Sequence, residues 1–241
     1  MYRYDGLDES GVARLTGAPR AILQQRVPTV MDLAHRLGEE GASTGTIVLA
    51  DEQTAGRGRA GRAWISPPGA GIWLAMLMRP VSAPEGGTLA IRIGLAVRDA
   101  LAVVSATLRP DLKWPNDIVV GGRKLGGILC EARWVGERIG WIAAGIGLNV
   151  HGPIAAELRD SAIAAADVDP GVSRLALLEA MVLRVAAAGR LIGPLSDAER
   201  ERYLGALWMP PDTAPVVGLD ADGALLVRGS DGGVVRRTEA A

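Results

Sequence analysis

Gln53-Thr54-Ala55-Gly56-Arg57-Gly58-Arg59-Ala60-Gly61-Arg62 follows a short β-branched run, Thr46-Ile47-Val48-Leu49-Ala50, that reads as a buried strand. Its glycines satisfy G-x-G-x-x-G, so the first question is whether this is a dinucleotide-binding turn. That fingerprint needs a helix opening at the third glycine, with an acidic residue about 20 positions later. Here Gly61 leads into Arg62-Ala63-Trp64-Ile65-Ser66-Pro67-Pro68-Gly69, and the proline pair forbids a helix. The next acidic residue is Glu85, beyond another predicted strand. A Rossmann fold is therefore rejected. What remains is a loop whose glycines let the backbone approach a ligand closely. Arg57, Arg59 and Arg62 project from it and suit phosphates or carboxylates by bidentate contact. A solvated Gly-Arg tail is the competing reading, but such tails are long and repetitive, whereas this is one turn wedged between strands.

Outward from the loop, strands and helices alternate irregularly. Gly71 to Met78 reads as a buried strand, Ile128 to Trp134 as an alternating one, and Trp141 to Val150 as a Gly-studded strand and turn. In the alternating strand, Ile128, Cys130, Ala132 and Trp134 share one side and Leu129, Glu131 and Arg133 the other. Helical spacing covers Val30 to Glu40, Gly87 to Val104, Arg174 to Leu191 behind a Ser173 N-cap, and Asp197 to Trp208. Met209-Pro210-Pro211 ends the helical pattern, and Asp220-Ala221-Asp222-Gly223 between apolar runs is a hairpin signal. The expected organisation is an α+β catalytic domain over 1–208 and a small C-terminal β domain over 209–241.

Composition narrows the chemistry. In 241 residues there are only two lysines, Lys113 and Lys124, against twenty-four arginines, and only two asparagines, Asn116 and Asn149. A chain that uses Arg wherever it will do points to its remaining lysines as places needing a compact, flexible charge. Apolar residues at 49% and charged residues at 22% describe a globular protein, and a net charge of −1 gives no push toward nucleic acid or membrane. Cys130 stands alone, which precludes an internal disulfide and fits a reducing cytoplasm. With His35 and His151 it is too small a set for the usual zinc site. No apolar run reaches the roughly 18 residues that span a bilayer, and no Walker A loop occurs. The cationic segments together predict a site for an anionic ligand, with Asp117 as its acid.

Four phrases in order carry a family resemblance. They are Gln53 to Arg62 with Trp64 to Gly69, Lys113-Trp114-Pro115-Asn116-Asp117, Arg123-Lys124-Leu125-Gly126-Gly127-Ile128-Leu129, and Gly145-Ile146-Gly147-Leu148-Asn149. In these residues the chain resembles the biotin–protein ligases, firmly over about residues 27 to 150. The resemblance implies a mixed sheet with flanking helices, of the class II synthetase-like kind, and an SH3-like β appendage. It implies ATP and Mg2+, with biotin as substrate and a biotin carboxyl carrier domain as partner, in a monomer or a homodimer. Lys124, Arg59 and Asp117 take the catalytic roles. Thr29, Val30, Gln53, Gly56, Arg57, Gly58, Arg59, Lys124 and Gly127 correspond to the biotin site. Arg57, Arg59, Arg62, Trp64, Lys113, Asn116 and Asn149 correspond to the nucleotide site. No metal ligand is assigned.

The chain also departs from the family pattern. Thr29-Val30-Met31 stands where the family shows Ser-Thr-Asn or Ser-Thr-Met, so Thr29 keeps a hydroxyl and Val30 has none. Ala60 leaves the loop one arginine short, and the 33 residues after Trp208 make a shortened appendage. About 26 residues precede Val27, fewer than the winged helix-turn-helix of bifunctional members, so no operator DNA is expected as a partner. A lipoate or octanoyl transferase of the same fold and a non-catalytic biotin sensor are the alternatives. Cys130, His35 and His151 read as structural, and Glu131 stays open between structure and site.

Overall fold

The computed structural model describes residues 2–80, 82 and 87–238, and Glu85 lies outside them. Helix α1 (Glu9–Thr16) opens on Asp8, whose carboxylate accepts from Gly11 N, and leads into strand β1 (Ala21–Val27). Thr29 caps helix α2 (Val30–Glu39) by accepting from Met31 N, and α2 buries Val30, Met31, Ala34 and Leu37 on one face. Strand β2 (Ile47–Gln53) lies parallel to β1, with α2 as the crossover that a parallel pair requires. No helix follows Gly61. Arg59–Gly61 makes a single 3-10 turn, and the loop closes through bridges Gln53↔Ser66 and Arg57↔Ala63. The Rossmann reading fails in the structure for the reason the proline pair gave.

Strand β3 (Gly71–Met78), helix α3 (Thr88–Val104), and strands β4 (Asp111–Lys113), β5 (Asp117–Val120), β6 (Arg123–Val135) and β7 (Arg138–Asn149) follow. The seven strands order as β1-β2-β3-β7-β6-β5-β4, antiparallel except for the first pair. Alternation along each strand divides the sheet into two faces. Ile47 and Leu49 of β2 enter the main core, while Val48 and Ala50 pack under α2. The main core is covered by α3 and by helix α4 (Arg174–Ala188), capped by Ser173. Every residue of β3 is buried, and β3 packs against α4 on one face and α2 on the other, which explains its uninterrupted apolar run. Ile128, Cys130 and Ala132 of β6 pack on the main core and Leu129 under α2, as their alternation predicts.

Helix α5 (Asp197–Gly205) starts in a capping box of Ser196 and Glu199. Strands β8 (Val216–Leu219), β9 (Leu225–Arg228) and β10 (Val234–Arg237) form a separate sheet in the order β10-β9-β8. The predicted Asp-Gly turn joins β8 to β9. Gly223 holds φ +90°, and a Cβ there would stand 2.9 Å from Ile91 Cδ1, so the turn presses against α3 where only glycine fits. Its carbonyl accepts from Trp114 Nε1 at 2.9 Å, and Leu219, Leu225 and Val227 join the main core. Among the described residues no helix is long and apolar enough to cross a membrane.

Candidate active site

Beside the N-terminus of α2, a cavity of about 460 Å³ opens between the ends of β2 and β3 and the middle of β6 and β7. Its floor is glycine. Gly147 pairs with Gly127 and Gly145 with Leu129, and the intervening Ile146 points into the main core. A Cβ at Gly145 would stand 2.7 Å from Met31 Sδ, and one at Gly147 2.6 Å from Trp64 Cε2. The phrase Gly145-Ile146-Gly147 is thus bare on the cavity side and apolar on the other. A second cavity of about 620 Å³ adjoins the first, adding Asn149, His151 and the stretch from Pro153 to Ala162. The two share Arg62, Trp64, Lys113, Asp117 and Lys124.

Strands β4 and β5 pair through Lys113↔Asp117, so Trp114-Pro115-Asn116 is a hairpin turn aimed at the cavities. Asn116 donates from Nδ2 to Ile128 O at 2.8 Å, and its Oδ1 accepts from Arg59 Nη1 at 3.3 Å. That bond ties the Gly-Arg loop to the hairpin. Asp117 Oδ1 lies 2.7 Å from Lys124 Nζ, which also stands 5.2 Å from the Trp64 ring centroid. With Lys124 37% and Asp117 22% exposed, this pair contributes only about 0.2–1 kcal/mol. A ligand oxyanion can therefore compete for Lys124. Lys113 Nζ lies 5.6 Å from the Trp208 ring. Behind Asp117, Tyr203 of α5 is buried; burial foremost, with the Asp117 charge adding, raises its phenol pKa above the ordinary value.

At the other end of the first cavity, Gln53 accepts from Val30 N at 2.9 Å and donates to Ser66 Oγ at 2.8 Å. Thr29 is buried as the α2 cap, and Arg57 pairs with Asp32 at 2.7 Å. Trp64 packs edge-on against Trp73 at 6.4 Å between centroids, and its Nε1 is buried with no partner among the described residues. Asn149 lines the second cavity and donates to Ile163 O at 3.3 Å. Gly58, Arg59 and Gly127 line the first cavity. Gly56 lines neither, because Trp64 crosses it: a Cβ there would stand 2.4 Å from Trp64 O. Arg57 and Arg59, expected at both the biotin and the nucleotide ends, and Asn116, expected on the nucleotide side, line the first cavity.

Met31, Trp73 and Leu129 also line the first cavity, and the stretch from Pro153 to Ala162 walls the second. The last of these had no periodic signal. It is placed by Lys124 N donating to Ser161 O at 2.7 Å and Ile163 N to Lys124 O at 3.0 Å. Burial pushes the Cys130 thiol up to about 12, which makes it a poor nucleophile. Arg236 pairs with Asp220 and Asp222 of the β8–β9 turn. Among the described residues no three His, Cys, Asp or Glu side chains cluster to hold a metal ion.

A sequence model described as the Biotin/lipoate A/B protein ligase family matches residues 23–149. The biotin–[acetyl-CoA-carboxylase] ligase of Mycobacterium tuberculosis is 36% identical over 174 residues, covering 68% of this chain and 64% of that protein. The bifunctional ligase/repressor BirA of Bacillus spizizenii is 38% identical over 131 residues, covering 54% of this chain and 40% of its own length. The match thus spans less than two thirds of either relative. Among solved structures, the biotin protein ligase of Aquifex aeolicus in complex with biotin and ATP superposes with a TM-score of 0.76. It is 25% identical, and the match covers 91% of this chain and 95% of that one.

Proposed function

The chain belongs to the biotin/lipoate A/B protein ligase family, and on that premise we propose that it is an ATP-dependent biotin–protein ligase. In the first step a biotin carboxylate oxygen attacks the α-phosphorus of ATP, forming biotinyl-5′-AMP and releasing pyrophosphate. In the second, a lysine amine of a carboxylase's carrier domain attacks the acyl carbon. An amide forms, AMP leaves with the bonding electrons, and the amine loses a proton.

The observation that carries this reading is Lys124, standing on the wall between a glycine-floored cavity and a second, adjoining one. A carboxylate and a triphosphate repel each other, so a cation must sit where they meet. Arg59 and Arg57 extend that positive field from the loop, with Gly58 and Gly127 letting backbone approach the bound acid, while Gly56 lets the loop pass under the Trp64 backbone. Gln53, Thr29 and Val30 take the biotin ring end. Arg62, Trp64, Lys113 and Asn149 take the nucleotide, with Asn116 holding Arg59 toward it. Asp117, released from Lys124 by the ligand's own oxyanions, receives the incoming lysine. A free lysine with pKa ~10.4 is only about 0.1% neutral at pH ~7.4, so a nearby carboxylate assists deprotonation.

A Mg2+ ion bound with the nucleotide would neutralise phosphate charge. Among the described residues Asp117 is the one acid lining both cavities, which suits an ion held mainly by phosphates and water. The lone cysteine supports placing the reaction in the cytoplasm, and the net charge of −1 supports a protein partner rather than DNA. Intact mass of a purified carrier domain, before and after incubation with ATP, biotin and this protein, is the test. One added biotinyl group supports the reading. Lipoyl transfer instead, or tight biotin binding without turnover, overturns it.

A further inference from the structure

The Gly-Arg loop is anchored at a second place, away from Lys124. Arg57 Nη1 lies 2.7 Å from Asp32 Oδ1 on α2, and Nη2 lies 3.4 Å from Glu131 Oε2 on β6. The same Glu131 oxygen is 2.9 Å from His35 Nε2. His35 is 5% exposed, and its Nδ1 accepts from Trp141 Nε1 at 3.0 Å. An indole N–H only donates, so Nδ1 keeps its lone pair and the ring proton sits on Nε2, facing Glu131. Among the described residues, Arg133 Nη2, at 4.0 Å, is the remaining charged neighbour of that carboxylate. The one carboxylate oxygen therefore bridges the His35 ring N–H and Arg57.

We propose that Trp141, His35 and Glu131 form a positioning relay for Arg57. The relay holds the Gly-Arg loop against α2 and so sets how long the first cavity retains its occupant. This inference rests on the reading above, in which the occupant is biotin and then biotinyl-AMP. Arg57, Gly58 and Arg59 line the cavity, whereas Glu131 and His35 do not. The relay therefore acts on the ligand only through the loop. At 37% exposure of Arg57 and 25% of Glu131, the ion pair is weak enough to open and close. A lid over a site that loads biotin and hands on its adenylate needs that balance.

The loop arginines supply a ligand-free readout, since trypsin cleaves after Arg57, Arg59 and Arg62. Glu131→Gln should speed cleavage in this loop by about three- to tenfold, with the Tm little changed. It should raise the KM for biotin and the rate of biotinyl-AMP release by a similar factor, with kcat for adenylation changing less. His35→Gln, which keeps one acceptor and one donor, should stay closer to wild type than His35→Leu. Wild-type tryptic and biotin kinetics in Glu131→Gln would overturn the relay, as would a lowered Tm with cleavage spread along the chain. Should the wild-type protein transfer no biotin while Glu131→Gln still exposes the loop, the latch stands and the biotin reading falls.

Discussion

At the scale of single residues, Lys124 carries the sharpest expectation. It stands 2.7 Å from Asp117 and 5.2 Å from the Trp64 ring, on the wall between the cavities. A guanidinium is larger and planar, and cannot enter that niche while pairing with one carboxylate oxygen and clearing the indole. Lys124→Arg should therefore lower the adenylation rate by about a hundredfold, the scale of losing one stabilising donor. Near-normal pyrophosphate release by that variant would remove the central assignment. Arg59 acts differently, because its bond to Asn116 closes the loop onto the β4–β5 hairpin. In Arg59→Gly the adenylate should escape, and biotin should appear on bystander lysines of an added inert protein; labelling confined to the carrier would contradict this. Lys124 was legible in the sequence because lysine is so rare there. Asp117 and Trp64 were named there too, but their contacts with Lys124 were not legible, since the Asp117 pairing and the approach of Trp64 come from the fold rather than from spacing.

At the scale of elements, legibility followed burial. Strand β3 matches its sequence reading of Gly71–Met78 residue for residue, since burial on both faces leaves an unbroken apolar run. Strand β1 was missed because Gln24, Gln25 and Arg26 interrupt its apolar pattern, and β4 because its three residues carry no period. Helix α5 was read three residues too long: Leu207 and Trp208 leave the helix to run beside β4, with Trp208 N donating to Leu112 O at 2.8 Å. The glycines of β7 were read as a strand and turn, but their function needed the fold. Only with Trp64 laid across Gly147 does the requirement for hydrogen at that position become visible. Gly147→Ala should displace Trp64, because a Cβ 2.6 Å from the ring cannot be accommodated in place. Biotin affinity should fall by about tenfold while global unfolding shifts by roughly 1 kcal/mol or more. Unchanged titration of the variant with biotin would mean that Trp64 does not shape the cavity.

At the scale of the whole molecule, the site depends on how α5 is held. The chain leaving α5 bridges β4 at Leu112↔Leu207, and Trp208 lies against Lys113, so α5 supports the hairpin carrying Asn116 and Asp117. Its anchor is Glu199, which meets the buried Arg92 guanidinium at 2.6 Å and 3.2 Å. Arg92 also donates to the carbonyls of Leu191, Gly193 and Pro194. That arginine foremost, with help from Ser196, holds the Glu199 carboxyl down from 4.5 to about 2. A depressed acid stabilises the fold above its unfolded pKa and loses that contribution as pH falls through its folded one. The contribution of Glu199 is therefore complete above about pH 4.5 and fades toward pH 2. With the side chain only 18% exposed, its size is on the order of 3 kcal/mol. Glu199→Gln should be less stable than wild type by at least that much at pH 7, since it leaves a buried arginine without its counter-charge. The two proteins should converge as the pH drops from about 4.5 toward 2, where the wild-type carboxyl also becomes neutral. Denaturant unfolding of both across that range is the measurement. A gap that stays constant down to pH 2 would show that Glu199 holds α5 by shape alone and not by charge.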